Sequence, residues 1–255
     1  MVMNLNILNG KFNLCRGSQV WSKVSSLKVP MNPLIANIIG HLTFDGNLNI
    51  NKDGNGGRVR FYGSEEKLRN LQHDIERNLN IKVYREQPFR IERKFVLAYH
   101  KTEFARGLIR LGAIDGAKVL KKFSVPEWIF RGSRKIKVAY LQALLDDEGE
   151  KLRKVDKKPN SWNGLKIKLR KETRKKKALK DFLIQLKTMF EELGVKTSKI
   201  GFDKKEFQRR DGKNTIGGYF RISTKKSNRE LLVKKFNFRE PSFKMPLMIS
   251  TTHRP

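Results

Sequence analysis

The 255-residue sequence predicts an α+β protein built from two pseudo-symmetric αββαββα repeats. The repeats share a basic, saddle-shaped, antiparallel or mixed β-sheet surface, and one helix from each packs at the interface between them. Three observations predict this. Two stretches look like copies of each other, Ile38-Ile39-Gly40-His41-Leu42-Thr43-Phe44-Asp45-Gly46 and Leu141-Gln142-Ala143-Leu144-Leu145-Asp146-Asp147-Glu148-Gly149. Each runs through apolar and small residues to an acid and then a glycine. The same order of helix, two strands, helix, two strands, helix can be read from each stretch onward, at a spacing of about 100 residues, too long for a solenoid. Finally, 56 Lys+Arg stand against 25 Asp+Glu, a formal net charge of +31, and many basic residues alternate with apolar ones.

The elements follow in order. Residues 1–32 read as an N-terminal extension punctuated by Gly10, Gly17 and Pro30. The first repeat spans 33–125. Its first helix starts at Pro33, with Asn32 as N-cap, and is expected to end at Gly46. Asn47 to Asn51 and Arg58 to Tyr62 alternate polar and apolar residues across the glycine-rich turn at 53–57, as a hairpin does. Ser64 caps a helix with Glu65 and Glu66 in its first turn and Leu68, Leu71, Ile75 and Leu79 as its apolar stripe. Lys82 to Arg85 and Ile91 to Tyr99 make a second hairpin around Pro88, and a helix follows from about Thr102.

The second repeat spans 126–240, and residues 112–133, at the end of the first repeat and the start of the second, connect the halves. It holds a helix at 134–147, strands at 150–156 and 165–170, and a helix at 174–193 with Leu179, Phe182, Leu183, Leu186, Phe190 and Leu193 on one face. A long hairpin pairs 196–209 with 218–224, and a helix covers 227–236. Residues 241–255 are a C-terminal tail rich in proline.

A charge of +31 strains a compact state by self-repulsion and calls for a polyanionic partner, nucleic acid above all. A membrane surface would favour one polybasic amphipathic helix, whereas the charge here is scattered along the chain. No apolar run approaches the ~20 residues that span a bilayer, and no charged-then-apolar leader opens the chain. Cys15 is the only cysteine, which excludes an intramolecular disulfide and a multi-cysteine zinc site. A cytoplasmic protein, or one of an organellar matrix, is expected.

On the strands one residue set faces the helices. The other set contains Asn47, Asn49, Arg58, Arg60, Lys82, Lys166, Lys168, Arg170 and Arg221. Such a face, continuous if the two sheets lie edge to edge, can follow duplex DNA, with Lys and Arg on phosphates and Asn and Arg on base edges.

The acid-ended helices suit close packing, because Gly40 and Ala143 leave little side chain between the axes. Side by side they bring Asp45 and Glu148 together at one end of a buried interface. Two carboxylates under a basic cleft can hold Mg²⁺ or another hard divalent cation such as Mn²⁺, with waters and phosphate oxygens completing the shell.

Both stretches resemble the motif that names the LAGLIDADG homing endonucleases. Leu141, Ala143, Leu144, Leu145, Asp146, Glu148 and Gly149 fit its pattern. In the first stretch Gly40, Leu42, Asp45 and Gly46 fit, while His41 replaces an apolar residue and Thr43 an acid. The αββαββα order and Val125-Pro126-Glu127-Trp128-Ile129 are similar too, and the resemblance covers about residues 30–240. It implies a single-chain, two-motif monomer that cuts both strands of a long double-stranded DNA site, serves intron homing, and leaves 3′ overhangs. Asp45 and Glu148 then bind the metals and cut one strand each. A basic residue near the metal, at the junction of last strand and following helix, corresponds to Lys101 in the first half and Lys225 or Lys226 in the second.

Two other readings share this fold. One is an intron RNA maturase and the other a DNA-binding regulator that does not cut; retention of an acid in both motifs speaks against the latter. A lone His41 reads as packed or partly exposed at the interface, and as structural in preference to a ligand. Leu108 to Gly116 also ends in Asp-Gly, but Arg110 interrupts the packing face, so residues 111–118 read as connector.

Overall fold

The computed structural model describes residues 31–51, 54, 56–86, 95–149, 153–154, 162–236 and 238–239. Residues 1–30 of the expected extension at 1–32, the turn around Pro88, residues 91–94 of the expected strand at 91–99, residues 150–152 and 155–156 of that at 150–156, and the tail at 241–255 lie outside the described residues.

The first helix, α1 (Pro33–Thr43), starts as expected. The Asn32 side chain accepts the Ile35 N–H at 2.9 Å, and Pro33 takes a position whose N–H would have no partner. Every residue from Ile35 to Thr43 is buried, so α1 has no solvent face. The helix stops three residues short of Gly46. Phe44 leaves helical geometry, and the Gly46 N–H folds back onto the His41 carbonyl at 2.7 Å. That turn lifts Asp45 out of the helix.

Strands β1 (Asn47–Ile50) and β2 (Gly57–Gly63) form the first hairpin, with Asn47 opposite Arg60 and Asn49 opposite Arg58. Helix α2 (Glu65–Leu79) is capped by Ser64, buries Leu68, Leu71, Ile75 and Leu79, and ends at a left-handed Asn80. Strands β3 (Tyr84–Glu86) and β4 (Phe95–Tyr99) complete a four-stranded antiparallel sheet in the order β1-β2-β4-β3. Lys82, expected on a strand, lies in the loop before β3, because the chain leaving Asn80 first buries Ile81 and Val83. Helix α3 (Thr102–Arg110) closes the repeat.

The connector is stitched to the first sheet. Asp115 bridges Leu48 in parallel and accepts the Ile50 N–H at 3.1 Å, and the Gly116 N–H donates to the Leu48 carbonyl at 2.8 Å. The Asp-Gly at 115–116 is therefore connector. A 3₁₀ turn follows at Lys118–Leu120, then the short helix α4 (Glu127–Phe130), whose Trp128 donates its indole N–H to the Leu111 carbonyl at 2.9 Å.

The second repeat begins with α5 (Arg134–Glu148) and a two-stranded pair, β5 (Arg153–Lys154) with β6 (Trp162–Asn163). Strand β7 (Lys166–Glu172) leads through a 3₁₀ turn to α6 (Lys176–Glu192). The expected long strand at 196–209 is two short ones, β8 (Gly201–Phe202) and β9 (Phe207–Gln208). Both pair with β10 (Asn214–Arg221), which starts four residues earlier than expected. Strand β10 lies antiparallel to β7, and α7 (Lys226–Lys235) follows.

Helices α1 and α5 run parallel. Asn37 Nδ2 donates to the Ala139 carbonyl at 2.8 Å, and further along a Cβ added at Gly40 would lie 2.7 Å from the Ala143 Cβ. His41 then meets Asp147. Glycine and alanine set this approach, as their small side chains allow. Among the described residues no strand pairing joins the two main sheets, so the expected edge-to-edge continuity is not a hydrogen-bonded one.

Candidate active site at the ends of the motif helices

Asp45 and Glu148 stand at the same end of the parallel pair, but on different backbone. Glu148 is the last residue of α5, whereas Asp45 lies two residues past the end of α1. Both are partly exposed. The ammonium of Lys118 lies within electrostatic reach of both acids. Glu148 and Lys118 also line a cavity of about 320 Å³ with Phe123, Lys168, Arg170 and Lys171.

Between the two acids sits a buried polar cluster that the sequence did not announce. The Asp147 side chain has no exposed surface. Its carboxylate accepts from His41 Nδ1 at 3.0 and 3.1 Å, faces the Asp45 N–H at 3.4 Å, and pairs with the ammonium of Lys67. Lys67 reaches it from α2 and also donates to the Tyr62 carbonyl at 2.8 Å. Burial alone would raise the Asp147 carboxyl, but His41 and Lys67 outweigh it and hold it below the usual range. Burial lowers His41, against the pull of Asp147. A neutral His41 fits, since its buried Nε2 has no hydrogen-bond partner and then carries a lone pair instead of a stranded N–H. Of the two expected settings His41 takes the packed one, 1% exposed, and its partner is an acid of the other motif.

Two further lysines, Lys118 half-buried and Lys171 buried, complete the surroundings. Burial brings Lys118 down to about 8, with Asp147, Asp45 and Glu148 pulling upward. Lys171 is 3% exposed on the core side of β7; burial, then Lys118 and Lys175, bring it down to about 7. Its ammonium donates to the carbonyls of Lys118 and Lys121 and lies 3.2 Å from the centre of the Phe123 ring.

The sheet residues fall as follows. Directly paired residues share a face, so Asn47, Asn49, Arg58 and Arg60 lie together on the first sheet. Tyr84, 55% exposed, joins them, because both it and Arg60 pair with Ala98. Lys166, Lys168, Arg170 and Arg221 share one face of the second sheet. Several of these are already engaged: Arg58 Nε with His100 Nδ1 at 3.3 Å, Lys168 with Asp203 at 2.8 Å, Lys166 over Tyr219 and Arg170 over Phe207. Lys82 is exposed in its loop. Lys101 and Lys225 are the N-cap residues of α3 and α7 and are exposed there. The lysines that the structure sets among the acids are instead Lys67 and Lys118.

Some of these residues left a trace in the sequence. Lys67 stands four residues before Leu71 on the apolar stripe of α2, and Lys171 falls in phase with Ile167 and Leu169. Both are cations at apolar positions. Lys118 follows no periodicity.

The architecture is that of the LAGLIDADG homing endonucleases. A mesophilic variant of the homing endonuclease I-DmoI superposes with a TM-score of 0.50 over 80% of this chain and 96% of its own, at 19% identity. The homing endonuclease I-WcaI bound to its DNA recognition sequence matches 96% of this chain and 98% of its own, at a TM-score of 0.46 and 14% identity. No family model matches the chain. In sequence it is 32% identical over 179 residues to the tRNA-splicing ligase RtcB of Pyrococcus furiosus, a match covering 64% of this chain and 18% of that protein. It is 27% identical over 183 residues to the replication factor C small subunit of Methanocaldococcus jannaschii, covering 66% of this chain and 9% of that one. The chain thus spans less than a fifth of the curated relatives it matches.

Proposed function

We propose that this protein is a site-specific, metal-dependent DNA endonuclease of the homing type. The observation that carries the reading is that Asp45 and Glu148 lie at the same end of a closely packed parallel helix pair, both within electrostatic reach of Lys118, each at the head of a repeat that carries basic strands. Fold likeness to I-DmoI supports it. So does the pair of sequence relatives: two proteins with unrelated names each contain a stretch like this one as a small part of their length, the pattern a mobile insert leaves.

The donor set suits a hard divalent cation. Asp45 and Glu148 are both partly exposed oxygen donors, and among the described residues no cluster of three or more His, Cys, Asp or Glu offers a closed protein cage. Such a site leaves coordination positions for phosphate oxygens and water. A bound divalent cation would supply Lewis acidity and a water of lowered pKa, with Mg²⁺ or Mn²⁺ the natural choices.

The chain's own residues do the rest. Asn47, Asn49, Arg58 and Arg60 on one sheet and Lys166, Lys168, Arg170 and Arg221 on the other bind the phosphates and read base edges of double-stranded DNA. The paired acids in a single chain serve one strand each, so a monomer suffices for a double-strand cut.

The test is incubation of the protein with Mg²⁺ or Mn²⁺ and DNA spanning the uninterrupted insertion site of its gene. Wild type is expected to cut both strands. Asp45→Asn and Glu148→Gln are each expected to slow one strand by roughly 100-fold or more, so that nicked DNA accumulates, because a metal ligand matters at least as much as the groups that orient it. DNA bound but never cut, with neither substitution changing the outcome, would sink the reading.

A further inference from the structure

Lys118 lies outside both motifs, yet its ammonium enters the end of α1. It donates to the carbonyls of Leu42 at 3.1 Å, Gly46 at 2.7 Å and Phe44. Three acceptors use the full donor capacity of a lysine. Two of them belong to the residues immediately before and after Asp45. A cation at a helix C-terminus also answers the partial negative charge of the last carbonyls.

The rest of the backbone clamp comes from the other repeat. The Asp45 N–H faces the Asp147 carboxylate at 3.4 Å. Lys171, from the core side of β7, donates to the carbonyls of Lys118 and Lys121, which fixes the 3₁₀ turn that carries Lys118. A chain of contacts therefore runs from β7 through the connector to the carbonyls of the two residues on either side of Asp45.

Glu148 is held by other means. It is still helical, the Gly149 N–H donates to the Leu145 carbonyl at 3.1 Å, and Gly149 bridges Ile167 of β7. The ladder of α5 runs up to Glu148 itself. Asp45 sits beyond the ladder of α1, in a turn whose geometry depends on what grips it from outside.

We propose that Lys118 is a positioning residue for Asp45: by holding the carbonyls of its neighbours Phe44 and Gly46 it fixes that carboxylate, so that loss of its ammonium slows cutting of the strand served by Asp45 and spares the strand served by Glu148. The strand-cutting half rests on the nuclease reading above; the backbone half rests on the geometry alone.

The experiment uses the full chain with Lys118→Met and Lys118→Arg and takes two readouts. Amide hydrogen exchange is expected to quicken by about tenfold or more at residues 44–46 in Lys118→Met and to stay near wild type at Gly149, a local opening rather than a global one. Strand-labelled DNA is expected to show a roughly 10- to 100-fold slower cut on the strand that Asp45→Asn also slows, the size a misplaced reacting group produces. Lys118→Arg keeps a donor and is expected to recover part of both effects. It also carries the comparison if the methionine variant does not fold. Equal slowing of the two strands, or exchange that quickens as much at Gly149 as at 44–46, or none at 44–46, overturns the proposal. If wild type cuts no DNA while the exchange change stays confined to 44–46, the nuclease reading falls and the positioning role stands.

Discussion

The ends of the two motif helices occupy matching places and are built differently. In the second, the three residues up to the acid are Asp146, Asp147 and Glu148, all within α5. Asp146 accepts the Arg239 N–H at 3.1 Å and Asp147 reaches across to His41 and Lys67, so this end ties other segments to itself. In the first, the matching residues are Thr43, Phe44 and Asp45. Thr43 turns its hydroxyl back to the Ile39 carbonyl at 2.7 Å, and Phe44 packs its ring 5.5 Å from that of Tyr140. This end is gripped by others. A motif that has drifted from its pattern can keep its acid in place when the other repeat and the connector supply the missing bonds.

The two helix ends depend most heavily on Asp147. Its removal leaves the Lys67 ammonium, itself 2% exposed in its side chain, without its carboxylate. Asp147→Ala is expected to cost about 3–5 kcal/mol in denaturant unfolding, whereas Asp147→Leu with Lys67→Met restores most of it, because a buried pair replaced by apolar bulk is often near neutral. Equal losses in the single and double variants would mean that Asp147 acts through His41 and the Asp45 N–H and not through Lys67.

The helix contact gives the next largest effect. At Gly40 an added Cβ would meet the Ala143 Cβ at 2.7 Å and the Tyr140 carbonyl at 2.9 Å, and the latter is backbone that cannot swing away. Gly40→Ala is expected to destabilise by about 1–3 kcal/mol. The matching change in the other motif, Ala143→Gly, relieves contact and costs only about 1 kcal/mol of helix propensity. Thermal melts of the two variants would measure the difference.

A further effect is a dependence of stability on pH. The folded protein holds Lys171 near 7 against an ordinary 10.5, mainly by burial. Between those values the unfolded chain binds the extra proton, so folding stability is expected to rise as pH climbs from about 7 toward 10.5. Lys118, near 8, adds a rise over the upper part of that window. Lys171→Met should flatten the curve measured by denaturant midpoint against pH. The Phe123 ring and two carbonyls favour the ammonium and so narrow the window from below.

The smallest effect is at the sheets. Arg60→Ala on the first and Arg221→Ala on the second are each expected to reduce the slope of log affinity for DNA against log salt by about one unit. A change at one sheet alone would mean that only that repeat lies along the DNA.

Much of this was legible in the chain. The duplicated order, the caps at Asn32 and Ser64, the stripe on α2 and the shared face of Asn47, Asn49, Arg58 and Arg60 follow from periodicity and local hydrogen bonding. Lys67 and Lys171 were visible only as cations in apolar phase, because a pattern shows that a residue is misplaced without naming its partner. The early end of α1 was hidden: its cause is a fold-back of Gly46 onto His41, and helix ends are set by such bonds as much as by composition.

By itself the sequence determined the class of the fold, the two repeats, their basic strands and the two acids that end the motif stretches. All of these rest on interactions between residues near each other in the chain. Tertiary structure alone decided that Asp45 leaves its helix while Glu148 stays in one, that Asp147 is held by His41 and Lys67, and that Lys118 from the connector grips the peptides around Asp45. Those contacts join residues about 70 to 106 positions apart. The small residues Gly40 and Ala143 announce that α1 and α5 can approach closely, but which side chains from α2 and the connector then reach the helix ends depends on the packing of the whole fold.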